Sequence, residues 1–371
     1  EYIDEKNGGH LNRKVDPKKS GNAAGPIVTN TTLTILRLIG KYIQMMRLLQ
    51  PIAFDVMVCL SHLFDYYLFT VFNFFGARSD LEQNLSTRLR GCLKRIQDAL
   101  ILNTDVTDED PGAHEKVPTP GLSPVVDCSA SESVYGLGVR VAAVESLIFL
   151  ATQLETLYPY IEPLIPHQRR TFCQQFYSST VKIAPEIRHH VYMAVAAQVI
   201  DYDGILNRMS SVKWDISDLM SQHNQYVDVL LRQLQVLTMR LDEVSRCCPI
   251  PREANMTLWE CIVRITNRTL LEGFSQARRC TNEGRSLMQL DFQSSYIEFL
   301  MLLELLRPQR VIKPYHKAYY LPEAALEEWL QQNRLLYSQR QLQSLISTMT
   351  HVTKKTRSKL NSIIENGSAK S

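Results

Sequence analysis

The sequence contains no C-x-x-C pair, and its eight cysteines, Cys59, Cys92, Cys128, Cys173, Cys247, Cys248, Cys261 and Cys280, are scattered along the chain. Zinc sites gather thiolates and imidazoles at short paired spacings, so neither a structural zinc centre nor any other cofactor is expected. The expected thiols are reduced and buried, as in a cytosolic chain. Also absent are G-x-S-x-G, a Walker loop, G-x-G-x-x-G, H-E-x-x-H and the EF-hand spacing. Their absence removes the usual signatures of acyl transfer, nucleotide binding, zinc proteolysis and calcium binding. A large excess of one charge is lacking too: 41 Lys and Arg face 38 Asp and Glu, a net charge of +3. Nucleic-acid-binding domains concentrate far more basic residues, so no nucleic-acid partner is expected. Almost no stretch alternates apolar and polar residues as a half-buried strand does, so no sheet is expected.

What the chain does have is apolar content, 45% of 371 residues, arranged at helical spacing. It begins at Glu1 and reads as a fragment of a longer protein. Residues 1–30, rich in Gly, Asn, Lys and Pro, read as a flexible leader. Residues 31–102 read as an N-terminal three-helix unit. Its first helix carries Leu33, Leu36, Ile39, Ile43 and Met46, and Pro51 opens the second. Ser79-Asp80-Leu81-Glu82 has the capping-box spacing that starts a third. Residues 103–132 hold four prolines and the run Asp108-Glu109-Asp110, an acidic Pro-rich linker or loop. Residues 133–306 read as a central helical bundle with helices near 139–157, 167–183, 186–207, 214–248, 257–277 and 283–306. Pro159, Pro163 and Pro166 predict a stiff extended corner within it. Residues 307–371 complete the chain with C-terminal helices and basic segments. The expected fold is all-α, an elongated array of stacked antiparallel helical bundles.

The helix expected over 214–248 is the spine of this array. Met220, His223, Val227, Leu230, Leu234, Leu237, Leu241, Val244 and Cys248 recur every three or four residues, and Pro249 stops the run. Such a helix would be about 50 Å long. Its apolar seam must be covered, because an exposed stripe of that length invites aggregation. Flanking apolar-faced helices make the rest of the chain the expected cover, and a zipper with a second chain is the alternative.

Residues 52–75 are long and apolar enough to span a bilayer, but Asp55, His62, Asp65 and Asn73 are spread through them. A central carboxylate costs about 2.5–3.5 kcal/mol in lipid, which favours a helix buried in protein. His62 and Asp65, one turn apart, are expected to pair as a core polar contact; as base and orienter they are also the basis of any enzymatic reading. Glu186 and His189 match the E-x-x-H spacing of di-iron helices, but no second copy exists to complete such a site. His223 is expected at a partly exposed end of the seam. The basic segments are the candidate contact sites. Arg307, Arg310, Lys313 and Lys317 interleave with Tyr315, Tyr319 and Tyr320, and the tail adds Lys354 and Lys355. An anionic membrane surface attracts each such residue by about 1 kcal/mol.

Ser133-Val134-Tyr135-Gly136-Leu137-Gly138-Val139-Arg140-Val141-Ala142-Ala143-Val144-Glu145-Ser146-Leu147 and Tyr158-Pro159-Tyr160-Ile161-Glu162-Pro163 resemble the C-terminal region of the syndetin family. Trp214-Asp215 and Pro314-Tyr315-His316 belong to the same likeness. The resemblance implies a non-enzymatic subunit region of a helical-rod vesicle-tethering complex. That complex is the endosome-associated recycling protein complex, similar to the Golgi-associated retrograde protein complex in sharing three subunits. Partners so implied are the other subunits, SNAREs, small GTPases, an accessory propeller protein and lipid. The implied location is cytosolic, peripheral to recycling endosomes and trans-Golgi network membranes. None of the quoted motifs carries a catalytic residue.

Overall fold

The computed structural model describes residues 27–77, 85–102, 116–303, 315, 318, 321–349 and 352–368, with side chains for all of these except 296–303 and 366–368. Among the described residues the chain is all-α, and the β pairing consists of one isolated bridge, Ile101 to Val117.

Helix α1 (Asn30–Leu48) starts where the Thr29 side chain accepts the Thr32 amide. A 3-10 turn containing Pro51 leads into α2 (Ala53–Phe75), which Gly76 closes. Helix α3 (Thr87–Leu100) is capped by Ser86, whose hydroxyl accepts the Leu89 amide at 3.0 Å. The capping box expected at Ser79 lies outside the described residues.

Helix α4 (Leu137–Ile161) corrects the extended corner, because it runs through Pro159 before a 3-10 turn at Glu162–Leu164. Pro159 falls in the last turn, and both it and Glu155, four residues earlier, face solvent. The carbonyl deprived of its partner there can turn to water, so the proline costs little. Helix α5 (Arg170–Ser179) is shorter than the 167–183 expected and is flanked by 3-10 turns.

The single helix expected over 186–207 is two, α6 (Glu186–Val199) and α7 (Tyr202–Ser210). Asp201 accepts the Gly204 amide at 3.0 Å, a local bond that ends one helix and caps the next.

The expected 214–248 helix is also corrected: α8 spans Gln225–Cys247, about 35 Å rather than 50. Residues 214–224 have suitable spacing but are pinned elsewhere. Trp214 is 4% exposed against Phe274, and its carbonyl accepts the Thr281 amide at 3.2 Å. Gly284 makes room for that carbonyl, since a Cβ there would lie 1.9 Å from it. Met220, assigned to the seam, is 56% exposed, and His223 pairs with Asp228 at 2.9 Å outside the helix.

The chain continues through α9 (Arg252–Ser275), α10 (Asn282–Leu303), α11 (Glu323–Asn333), α12 (Gln339–Thr348) and α13 (Lys354–Ser368). Helix α12 opens on a full capping box between Ser338 and Gln341.

The seam of α8 is covered from within. Tyr226, Val227, Leu230, Leu231, Leu234, Leu237 and Leu241 are buried, and α10, α7 and α4 pack on the helix. Its start is fixed to α10 by Asp291, which accepts the Asn224 amide and side chain at 2.8 Å each and the Tyr226 hydroxyl at 2.6 Å. Helix α6 packs along α9, and α1 along α2, in one continuous apolar core. A second core gathers Leu271, Tyr315, Leu326, Leu342 and Leu345 at the C-terminal end.

Two stretches, Gln50–Phe75 and Leu137–Leu164, are long and apolar enough to cross a membrane by length and composition. In this fold 56% and 50% of their most apolar windows are buried against the rest of the chain.

Candidate partner-contact surfaces

Of the basic residues singled out, Arg307, Arg310, Lys313 and Lys317 lie outside the described residues. Lys354 and Lys355 occupy the exposed first turn of α13 and make no ion pair among the described residues. Cations at a helix N-terminus oppose its dipole, so the pair adds to an already positive end. Their neighbours are engaged: Lys359 meets Glu327 at 2.6 Å, and Arg357 donates to the Met349 carbonyl at 2.7 Å.

His62 and Asp65 are not a pair. His62 is exposed, whereas Asp65 is buried and gripped by Arg95 of α3 through two bonds of 3.0 and 3.2 Å. Arg95 also donates to the Thr180 hydroxyl at 2.8 Å. Burial raises the Asp65 carboxyl above its ordinary value, and the bonds and charge of Arg95 offset only part of that. This is a bolt between α2, α3 and the turn after α5.

The Glu186 and His189 pair separates as well. Glu186 accepts the Ser86 hydroxyl at 2.6 Å, and His189 Nδ1 lies 3.5 Å from Cys261 Sγ. Burial lowers the His189 imidazole, and the Arg264 and His190 charges lower it further. Among the described residues no three His, Cys, Asp or Glu side chains converge as metal ligands.

The thiols differ from the uniform burial expected. Cys92, Cys173, Cys261 and Cys280 are buried, while Cys59 and Cys247 are exposed. Burial pushes Cys173 and Cys280 up to about 11 and Cys261 up to about 12. Thiols so far from ionising are poor nucleophiles and serve as packing.

The 133–147 stretch builds an unusual entry to α4. Val134, Tyr135 and Gly136 have φ of 51°, 57° and 68°, three consecutive left-handed residues. Left-handed backbone costs an L-residue about 1–2 kcal/mol, most of all a β-branched one such as Val134. The turn is held by Ser133, which donates to the Ala130 carbonyl and accepts the Gly136 amide, each at 3.0 Å. Arg140, 5% exposed, donates to the Tyr135 carbonyl at 2.9 Å and to the Phe75 carbonyl, with its guanidinium 5.8 Å from the Phe75 ring. Beside this turn a groove of 390 Å³ opens along α8. Val134, Val229 and Val236 give it an apolar floor, and Arg208, Arg232 and Arg240 line it with charge. Sequence reasoning missed this surface, because its parts come from segments about 100 residues apart.

Helices that are bonded to one another across their polar contacts, with solvent-facing grooves and no gathered reactive set among the described residues, define an all-α protein. The family model described as "Syndetin, C-terminal" matches residues 134–365, starting at the left-handed turn, and the chain belongs to that family. It is 45% identical over 395 residues to a Gallus gallus protein named Syndetin, covering 98% of this chain and 41% of the relative. To a Rattus norvegicus Syndetin it is 44% identical over 371 residues, covering 95% of this chain and 38% of the relative. The chain thus spans about two fifths of the length of these relatives.

Proposed function

We propose that this chain is a non-enzymatic leg of a multisubunit vesicle-tethering complex acting in endosomal recycling to the plasma membrane. The observation that carries the reading is membership of the syndetin C-terminal family, together with an α8 seam covered by the chain's own helices, which leaves outer faces and grooves for other proteins. The partners so proposed are the other subunits of the endosome-associated recycling complex, with SNAREs, small GTPases and an accessory propeller protein as transient contacts. The proposed location is the cytosolic face of recycling endosomes and trans-Golgi membranes. Crosslinking mass spectrometry of the assembled complex on membranes tests it. The expected result is crosslinks from exposed lysines, Lys213 and Lys354 among them, to other subunits. Recovery of the chain free of those subunits contradicts it.

Lys354 and Lys355, exposed on α13 and without an ion pair among the described residues, support a second contact, with an anionic bilayer in company with Arg307, Arg310, Lys313 and Lys317. Phosphatidylserine liposomes should sediment the chain, and charge reversal at these six positions should abolish it. Unchanged sedimentation would sink this contact.

A further inference from the structure

A groove of 1360 Å³ opens where the C-terminal end of α9, the 209–215 segment and α12 meet. Lys213, Arg278, Arg279 and Arg340 line it, against a single carboxylate, Asp215. All five side chains are exposed, and none of the four cations makes an ion pair with a described residue. The whole chain carries a net charge of only +3, so the groove is a concentration of positive charge and not a sample of a basic surface.

Its walls are fixed independently of any occupant. On one side, Thr281 Oγ1 donates to the Ile216 carbonyl at 2.7 Å, and Gly284 lets the Trp214 carbonyl approach α10. On the other, Gln341 Nε2 donates to Glu272 Oε2 at 3.1 Å, and the Ser344 hydroxyl donates to the Ser275 carbonyl, tying α12 to α9. Four like charges held on a rigid frame repel one another, and an anionic occupant relieves that repulsion.

Size and shape decide the kind of occupant. Small-molecule pockets run to about 300–1,000 Å³, and this opening is larger and solvent-facing. A bilayer surface meets projecting residues such as Lys354 and Lys355 and cannot enter a concave groove between helices. Three of the four cations are arginines, whose planar forks suit bidentate bonds to carboxylates. We propose that this groove docks an extended acidic segment of a partner protein, its carboxylates held by Lys213, Arg278, Arg279 and Arg340. The inference gives the proposed leg a partner chemistry and does not depend on which complex the leg serves. A failed peptide test leaves the subunit reading standing, and a failed recovery of subunits leaves the groove standing.

The test is fluorescence anisotropy of a fluorescein-labelled peptide of alternating Glu and Ser, titrated with the 371-residue chain at low salt. Saturable binding is expected, weakening as salt shortens the screening length. R278E/R279E and R340E should each weaken it at least tenfold, with the circular dichroism spectrum retained. R278Q/R279Q, the milder change, should weaken it severalfold. K354E/K355E should leave it unchanged. Equal binding by the groove variants, or an equal loss in K354E/K355E, overturns the proposal. So does binding of phosphatidylserine vesicles, but not peptide, that R278E/R279E abolishes; that result makes the groove a lipid contact.

Discussion

Arg188 of α6 holds Glu145 of α4 through two bonds, Nε to Oε1 at 3.0 Å and Nη2 to Oε2 at 2.7 Å. Its remaining Nη1 reaches Glu253 of α9 at 3.0 Å, and the Tyr192 hydroxyl donates to Glu145 Oε1 at 3.1 Å. The Arg188 and Glu145 side chains are 17% and 10% exposed, so this pair is largely withdrawn from solvent, while Glu253 at 76% is not. Removing Arg188 would strand a buried carboxylate, a loss of the kind that costs about 3–5 kcal/mol. Urea melts should therefore register Arg188→Ala as several times more damaging than Glu253→Ala, which breaks only the exposed arm and falls in the range of about 0–1 kcal/mol. Equal effects would mean that the pair is not the joint between these helices.

Gly284 gives a second prediction. A methyl group there meets the Trp214 carbonyl, a backbone atom that cannot swing aside. Gly284→Ala should destabilise by about 1–3 kcal/mol, as overpacking does, although alanine is the better helix former. Amide exchange should locate the loss in residues 212–224. A neutral or stabilising result would contradict the seat described for Trp214.

Alkaline pH should unfold the chain through its buried thiols and phenols. Cys173, Cys261 and Cys280 sit near 11, 12 and 11 in the fold against an ordinary 9, and Tyr177, Tyr192 and Tyr226 are pushed well above their ordinary 10. Groups raised by folding contribute stability that is complete below their unfolded values and lost as pH rises through the folded ones. Thermal melting points should hold up to about pH 9 and fall steadily towards pH 12. Cys261→Ala should flatten part of that fall. In native protein at pH 8, Cys59 and Cys247 should take up a maleimide reagent while Cys173, Cys261 and Cys280 stay protected.

Local chemistry made the helical content legible in the sequence. Pro51 marks the turn into α2, and the spacing of Ile39, Ile43 and Met46 marks α1, whereas the caps at Thr29 and Ser338 emerge only in the structure. Some of what misled was local, as at Asp201, whose side chain splits the helix expected over 186–207, and some was long-range. Residues 214–224 carry helical spacing, but Thr281 and Asp291, about 65 residues away, hold them in another path. Asp65 has His62 one turn off, yet its partner is Arg95, on another helix. The arginine-lined grooves assemble from positions such as 213, 278 and 340, which no window of sequence brings together. Four of the six expected contact cations fall outside the described residues, and Lys354 and Lys355 are exposed in the first turn of α13.

The α8 seam is filled from within the chain, by α10, α7 and α4. Leu234, fully buried on that seam, tests it when changed to Asp and the protein is followed by light scattering and circular dichroism together. The account predicts a monomeric wild-type chain, and for Leu234→Asp a cooperative loss of helix, since a buried unpaired carboxylate costs several kcal/mol. A wild-type dimer that Leu234→Asp converts to a folded monomer would contradict it, because α8 would then be a zipper between two chains.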